Sequence, residues 1–195
     1  MEDYRKMAEA NQRRGREIIA ETQLVESWEA IGAQANLIGS LSTGLMMKKL
    51  DIDMHVYTDT LSIKESFRAA ARIASHPGIV RMEYTNLIDT EEECIEWHAA
   101  YRDRDGRMWK MDMIHIRRGS AYDGFAERMA SRIGAVLTEE TRDAILRLKY
   151  ETPEAEKIMG IEYYQAVLRD GVGTYAEFEA WRAAHPVTGI LEWMP

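Results

Sequence analysis

Residues 35–59 read ANLIGSLSTGLMMKKLDIDMHVYTD, and the rest of the chain is organised around them. Asn36 to Ile38 is a short strand-like run that ends at Gly39-Ser40. Ser42 to Lys49 is long enough for about two turns of helix. From Asp51 the residues alternate. Asp51, Asp53 and His55 fall on one side, and Ile52, Met54 and Val56 on the other. That period of two is the pattern of a half-buried strand. It sets two carboxylates on one face, roughly 6.5–7 Å apart along the backbone, with an apolar back face to hold the strand on a core.

A strand-to-helix turn needs a residue free of Cβ restrictions, which Gly39 supplies. The main-chain N–H groups after it, with the Ser40 hydroxyl, make a site for an anion. Polyphosphate on that side and an acid pair on the other describe a Mg²⁺–nucleotide site, because magnesium is held by one or two carboxylates plus substrate phosphates. A solvated acidic edge is the plainer reading of the same residues.

Gly39-Ser40 followed at this spacing by Asp51-Ile52-Asp53 resembles the signature of the nucleotidyltransferase superfamily that includes DNA polymerase beta. The likeness is greatest to its small bacterial members, the antibiotic and minimal nucleotidyltransferases. Gly44 stands where that family often keeps a small residue. The Arg-Gly often found after Gly-Ser in minimal members is missing, and Lys48 and Lys49 precede the acid pair. The resemblance implies a mixed-sheet α/β nucleotidyltransferase fold with a C-terminal helical lobe. It also implies Mg²⁺ as cofactor and an NTP, expected to be ATP, as co-substrate.

Composition sets bounds. The 195 residues, 46% of them hydrophobic, suit one domain or one domain with a second lobe. Charged residues make up 30% of the chain and mean hydropathy is -0.41, as in soluble proteins. No apolar run approaches the roughly 20 residues of a membrane span. The charged N-terminus lacks the apolar core of a signal peptide. A single cysteine, Cys94, excludes an internal disulfide framework and points to a cytoplasmic protein. A net charge of -8 argues against general nucleic-acid binding.

Glu2 to Leu24 reads as helix, with Arg13, Arg14 and Arg16 on a solvated face, and a second helical piece runs from Val25 to Ala33. Leu61 to Ser75 is an amphipathic helix stopped by His76-Pro77-Gly78. Ile79 to Tyr84 is a strand. Cys94 to Arg102 and Arg107 to Ile116 form a hairpin about Asp105-Gly106, a type I′ pair. A parallel strand–helix–strand followed by antiparallel strands gives a mixed sheet. Helices follow: Phe125 to Leu137; Glu139 to Tyr150, capped by Thr138; one starting at Pro153 and continuing through Leu168; and a last one opened by the Thr174/Glu177 capping box. The expected division is residues 1–118 as catalytic domain and 119–195 as helical domain.

Phosphoryl transfer uses a further acid to ligate metal or take the acceptor's proton. Asp112, inside the apolar strand Trp109 to Ile116, is costly there unless paired or metal-bound, and it matches by order the third acid of the superfamily. With a two-residue turn it faces Ala99, beside Trp97 and Tyr101; another loop length shifts that register. Glu83 is the rival general base. His55 is expected beyond the metal site, His98 and His115 as structural histidines, Lys48 and Lys49 at the surface, and Tyr163 and Tyr164 in a helical core.

The implied activity is transfer of a nucleoside monophosphate from an NTP to a hydroxyl of a small acceptor, an antibiotic being one implied case, with release of pyrophosphate. Asp51, Asp53 and Asp112 are the implied catalytic and metal residues, and Gly39 and Ser40 the phosphate contacts. The alternatives are a relative that binds nucleotide or protein without turnover, and a protein-modifying enzyme of the toxin–antitoxin kind.

Overall fold

The computed structural model describes residues 3–187 and 193–195. The expected helix start at Glu2 lies outside this range. Helices α1 (Asp3–Glu21) and α2 (Leu24–Glu29) lead into a five-stranded sheet. Its strands are β1 (Gln34–Ile38), β2 (Asp51–Thr58), β3 (Ile79–Leu87), β4 (Cys94–Arg102) and β5 (Met108–Arg117), in the spatial order β1-β2-β5-β4-β3. Helix α3 (Gly39–Thr43) joins β1 to β2, and α4 (Ile63–Ala74) joins β2 to β3. Helices α5 (Phe125–Val136), α6 (Glu139–Glu151), α7 (Gly160–Leu168) and α8 (Tyr175–Ala184) follow the sheet.

The mixed sheet is as expected, but its parallel pair lies elsewhere. β1 and β2 are antiparallel, whereas β2 and β5 are parallel. A parallel crossover needs a dozen or more residues and usually a substantial helix. The expected two turns over Ser42 to Lys49 are replaced by the single turn of α3, and the chain simply doubles back. Gly44 ends that turn at φ 72, where a Cβ would lie 2.5 Å from Arg142 Nη1.

One face of the sheet is the core. Ile52, Met54, Trp97, Trp109, Met111 and Met113 are buried there with Ile18, Leu24 and Trp28 from α1 and α2 and Ala69 and Ile73 from α4. Two of the polar side chains on this side share one partner: Ser66 Oγ accepts from Trp97 Nε1 at 2.9 Å and lies 3.1 Å from His115 Nδ1, whereas the Trp28 indole N–H is buried without a hydrogen bond. Burial pushes the His115 imidazole down to about 4, so it sits there neutral, as a structural histidine. Arg14 is not solvated; it pairs with Glu21 at 2.8 Å, while Arg13 and Arg16 are exposed.

The helices after β5 have their own core, including Ile145, Leu148, Tyr163, Phe178 and Trp181, into which Leu45 also packs. Thr138 caps α6, and the Thr174/Glu177 box opens α8, as their spacing requires. The helix expected from Pro153 begins only at Gly160. Thr152 is extended (φ -59, ψ 128), the conformation that a following proline favours, and residues 153–159 remain a loop. Carbonyls of this region accept from the other half of the chain: Thr152 O from Lys48 Nζ, and Ile158 O from Lys49 Nζ at 2.8 Å.

Candidate active site

β2 buries Ile52, Met54 and Val56 and presents Asp51, Asp53 and His55 on the opposite face. The parallel register aligns Asp53 with Asp112 of β5 and Asp51 with Lys110. Neighbouring strands lie about 4.8 Å apart, so the side chains of Asp53 and Asp112 stand side by side on one face. Across the next pairs, Asp112 faces His98 of β4 and His98 faces Glu83 of β3. The row Asp53–Asp112–His98–Glu83 thus crosses four strands on the open face.

The expected Ala99 partner is therefore replaced by His98, and Ala99, Trp97 and Tyr101 lie in the core. The cause is the hairpin loop. Asp103 Oδ1 accepts from the Asp105 and Arg107 N–H groups at 3.0 and 2.8 Å, and Oδ2 accepts from Trp109 Nε1 at 3.0 Å. This buried carboxylate builds a loop from Asp103 to Arg107 rather than a two-residue turn, and the register shifts by one.

Gly39 closes the other side of the acids. Its φ is +67, and a Cβ there would lie 2.1 Å from Asp53 Oδ2. Only glycine lets the backbone touch this carboxylate. Asp51 and Asp53 have no hydrogen-bond or close ion-pair partner among the described residues. Burial, then the neighbouring Asp51 and Asp112, push the Asp53 carboxyl up to about 7, and burial also raises Asp51. Such a pair is what a hard divalent cation, which takes oxygen ligands, would relieve. Asp112 is held differently: Oδ1 lies 2.6 Å from His98 Nδ1, and Oδ2 lies 2.7 Å from Lys110 Nζ. The three carboxylates are accordingly not gathered within 4.8 Å of one another.

In front of Asp51 and Asp53 lies a cleft of about 550 Å³. Gly39 and Ser40 line one wall, and Lys149, Thr152, Tyr163 and Tyr164 line the other. Lys149 Nζ donates to Leu45 O at 2.8 Å and to Tyr164 Oη at 3.1 Å. Lys48 and Lys49 also line it; Lys49 is exposed, as expected, and both ammonium groups are held by the Thr152 and Ile158 carbonyls. A second depression of about 310 Å³ runs from Asp53 to Asp112 and His98 under α5. A third, of about 450 Å³, holds Arg81, Glu83, His98 and Lys110.

Glu83 lies one strand beyond His98 and pairs with Arg81 at 3.5 Å. His55 lies outside the acid group, as expected: its Nδ1 is 3.1 Å from Tyr57 Oη, which donates to Glu127 at 2.9 Å. Burial disfavours a charged His98, but the Asp112 hydrogen bond prevails and raises its pKa. His98, Lys110 and Lys149 were not among the expected site residues. His98 and Lys110 flank Asp112 at alternating positions, a signal available once the register is known; Lys149 carries none. Glu92, Cys94 and Glu96 form a separate set of potential ligand atoms, within 4.8 Å of one another, in a depression lined also by His55.

The mixed five-stranded sheet with helices C-terminal to it is an α/β fold shared with solved nucleotidyltransferases. Among solved structures, the chain is similar to the Cid1 poly(U) polymerase bound to MgGTP, with 16% identity, a TM-score of 0.60, and coverage of 86% of this chain and 53% of that one. It is also similar to the polymerase core of TRAMP, an RNA surveillance complex, with 13% identity, a TM-score of 0.51, and coverage of 78% and 47%. A cytoplasmic RNA terminal U-transferase gives 14% identity, a TM-score of 0.50, and coverage of 86% and 52%. The chain spans about half the length of these proteins. No family model matches the sequence, and no curated protein matches it. No helix among the described residues is long and apolar enough to cross a membrane.

Proposed function

We propose that the protein is a Mg²⁺-dependent nucleotidyltransferase that moves a nucleoside monophosphate from an NTP, ATP in the first instance, to a hydroxyl of a small acceptor. The observation that carries this reading is the pair of unpartnered, half-buried carboxylates, Asp51 and Asp53, at the mouth of a cleft walled by Gly39 and Ser40. Asp51 and Asp53 would hold the metal, with Asp112 completing the set or receiving the acceptor's proton. A bound divalent ion would supply Lewis-acid stabilisation of charge on the phosphate oxygens.

The chain's own residues supply the rest. The Gly39–Ser40 backbone would meet the β/γ-phosphates, and Lys49 and Lys149, which both line the cleft, would offer cationic charge to them. The sugar and base would lie towards Tyr164 and Met159. The acceptor would approach over Asp112, where its hydroxyl meets a carboxylate already ordered by hydrogen bonds. Residues 1–118 form the catalytic lobe and 119–195 the helical lobe in this reading. A cytoplasmic location fits the free Cys94 thiol.

A second reading, transfer to an RNA end, is favoured by what the structural neighbours are named for, an RNA terminal U-transferase among them. The net charge of -8 weighs against it. The test is pyrophosphate release with Mg²⁺ and each of four NTPs, over small hydroxyl acceptors and short RNAs, for wild type and Asp53→Ala. Release with a small acceptor, lost in Asp53→Ala, supports the first reading. Release with RNA alone moves the assignment to the second. Tight NTP binding with no release makes the protein a nucleotide-binding relative without turnover.

A further inference from the structure

We propose that His98 is the positioning residue for Asp112, fixing one carboxylate oxygen so that the other is presented to the reaction centre. The inference rests on the reading of Asp51, Asp53 and Asp112 as one metal site and deepens it.

Three observations carry it. First, His98 and Asp112 are directly opposed in the β4–β5 ladder, so their contact is set by backbone register and not by a mobile loop. Second, the bond is short, 2.6 Å from Nδ1 to Oδ1, and a carboxylate only accepts, so Nδ1 carries the proton and donates. The far nitrogen, Nε2, lies 3.4 Å from Glu96 Oε2 on the same strand, which orients the ring from its other side. Third, the two partners of Asp112 differ in permanence. Lys110 holds Oδ2 through a long side chain that is 56% exposed, whereas the His98 side chain is 28% exposed and short. An ammonium on a flexible stem gives way readily; an imidazole locked between two carboxylates does not. Oδ2 is therefore the oxygen released to the site, by displacement of Lys110, while Oδ1 stays with His98. His98 also borders the depression that Asp112 lines, and the neighbouring one that holds Lys110.

The role is tested by metal affinity rather than turnover. Free Mn²⁺ is measured by electron paramagnetic resonance in titrations of the full chain with a nonhydrolysable methylene analogue of ATP. Wild type, His98→Leu, His98→Asn, Asp112→Ala and the double variant His98→Leu/Asp112→Ala are compared, with thermal melts to confirm folding. His98→Leu is expected to weaken Mn²⁺ binding by about 10–100-fold, as loss of a ligand's hydrogen-bond partner does. His98→Asn, whose amide N–H replaces the Nδ1 donor, is expected to recover most of that loss. On the Asp112→Ala background, His98→Leu should change nothing further, because it acts through Asp112.

Equal losses in His98→Leu and His98→Asn, or losses that add fully in the double variant, would overturn the proposal and leave the metal site standing. No Mn²⁺ binding by wild type beyond that of the analogue alone would overturn the metal site itself, and the proposal with it.

Discussion

The two faces of β2 are built from the same eight residues and do opposite things. Ile52, Met54 and Val56 vanish into a core that holds the sheet on α1, α2 and α4. Asp51 and Asp53, one residue away in each case, keep carboxylates half-buried with no hydrogen-bond partner among the described residues. The first face stabilises the fold; the second, with its buried acids, lowers that stability and is the candidate site. The lesson is that strain at a site is tolerated because the opposite face of the same strand is so well packed.

Substitutions that separate the faces give the largest effects. Asp53→Asn should cut nucleotidyl transfer on the order of 10³-fold, corresponding to the several kcal/mol supplied by a metal ligand set, yet raise thermal stability at pH 8. Ile52→Ala should do the reverse. It should cost about 2–5 kcal/mol in chemical denaturation, with the activity of the folded fraction unchanged. If Asp53→Asn loses stability instead, the acid face is structural and the contrast breaks.

Gly39→Ala comes next. A methyl group at a left-handed position, facing Asp53 Oδ2, should cost about 1–3 kcal/mol in denaturation and weaken nucleotide binding measured by calorimetry. Wild-type affinity in this variant would show that the Gly39–Asp53 contact does not shape the cleft.

pH sharpens the same contrast. The folded Asp53 carboxyl titrates near about 7, above the ordinary value near 4. Between these values the folded chain keeps a proton that the unfolded chain has released, so this group's contribution falls as pH rises from about 4 to about 7 and is flat above. His115, held neutral by burial, contributes the opposite slope over the same range, so the readout is the difference in melting temperature between Asp53→Asn and wild type, which should widen from about pH 4 to about pH 7 and stay constant above. Added Mn²⁺ at pH 8 should raise the melting temperature of wild type and not of the variant.

Much of this was readable in advance because it is local. The alternation over residues 51–56, the glycine before the short helix and the caps at Thr138 and Thr174 each depend on neighbours within a few positions. The direction of β1 was not readable, because periodicity carries no strand polarity. The partner of Asp112 was missed because the side chain of Asp103, not the Asp105-Gly106 pair, builds the loop that sets the register. Residues 153–159 have a proline where helices often begin, but the carbonyls of Thr152 and Ile158 are engaged by Lys48 and Lys49 from a distant loop. Lys149 enters the cleft only through the packing of α6 on Leu45. What the sequence hides here is tertiary, and it is the part that turns an acidic strand into one wall of a cleft.

The central claim is that the acid face of β2 and β5 is the metal site. Its most direct test is a crystal of the protein grown with Mn²⁺ and a nonhydrolysable ATP analogue, read by anomalous scattering at the manganese edge. The account predicts a peak between Asp51 and Asp53, within reach of Asp112, with phosphate density against Gly39 and Ser40. A peak confined to Glu92, Cys94 and Glu96, or a nucleotide bound away from the cleft, would contradict it.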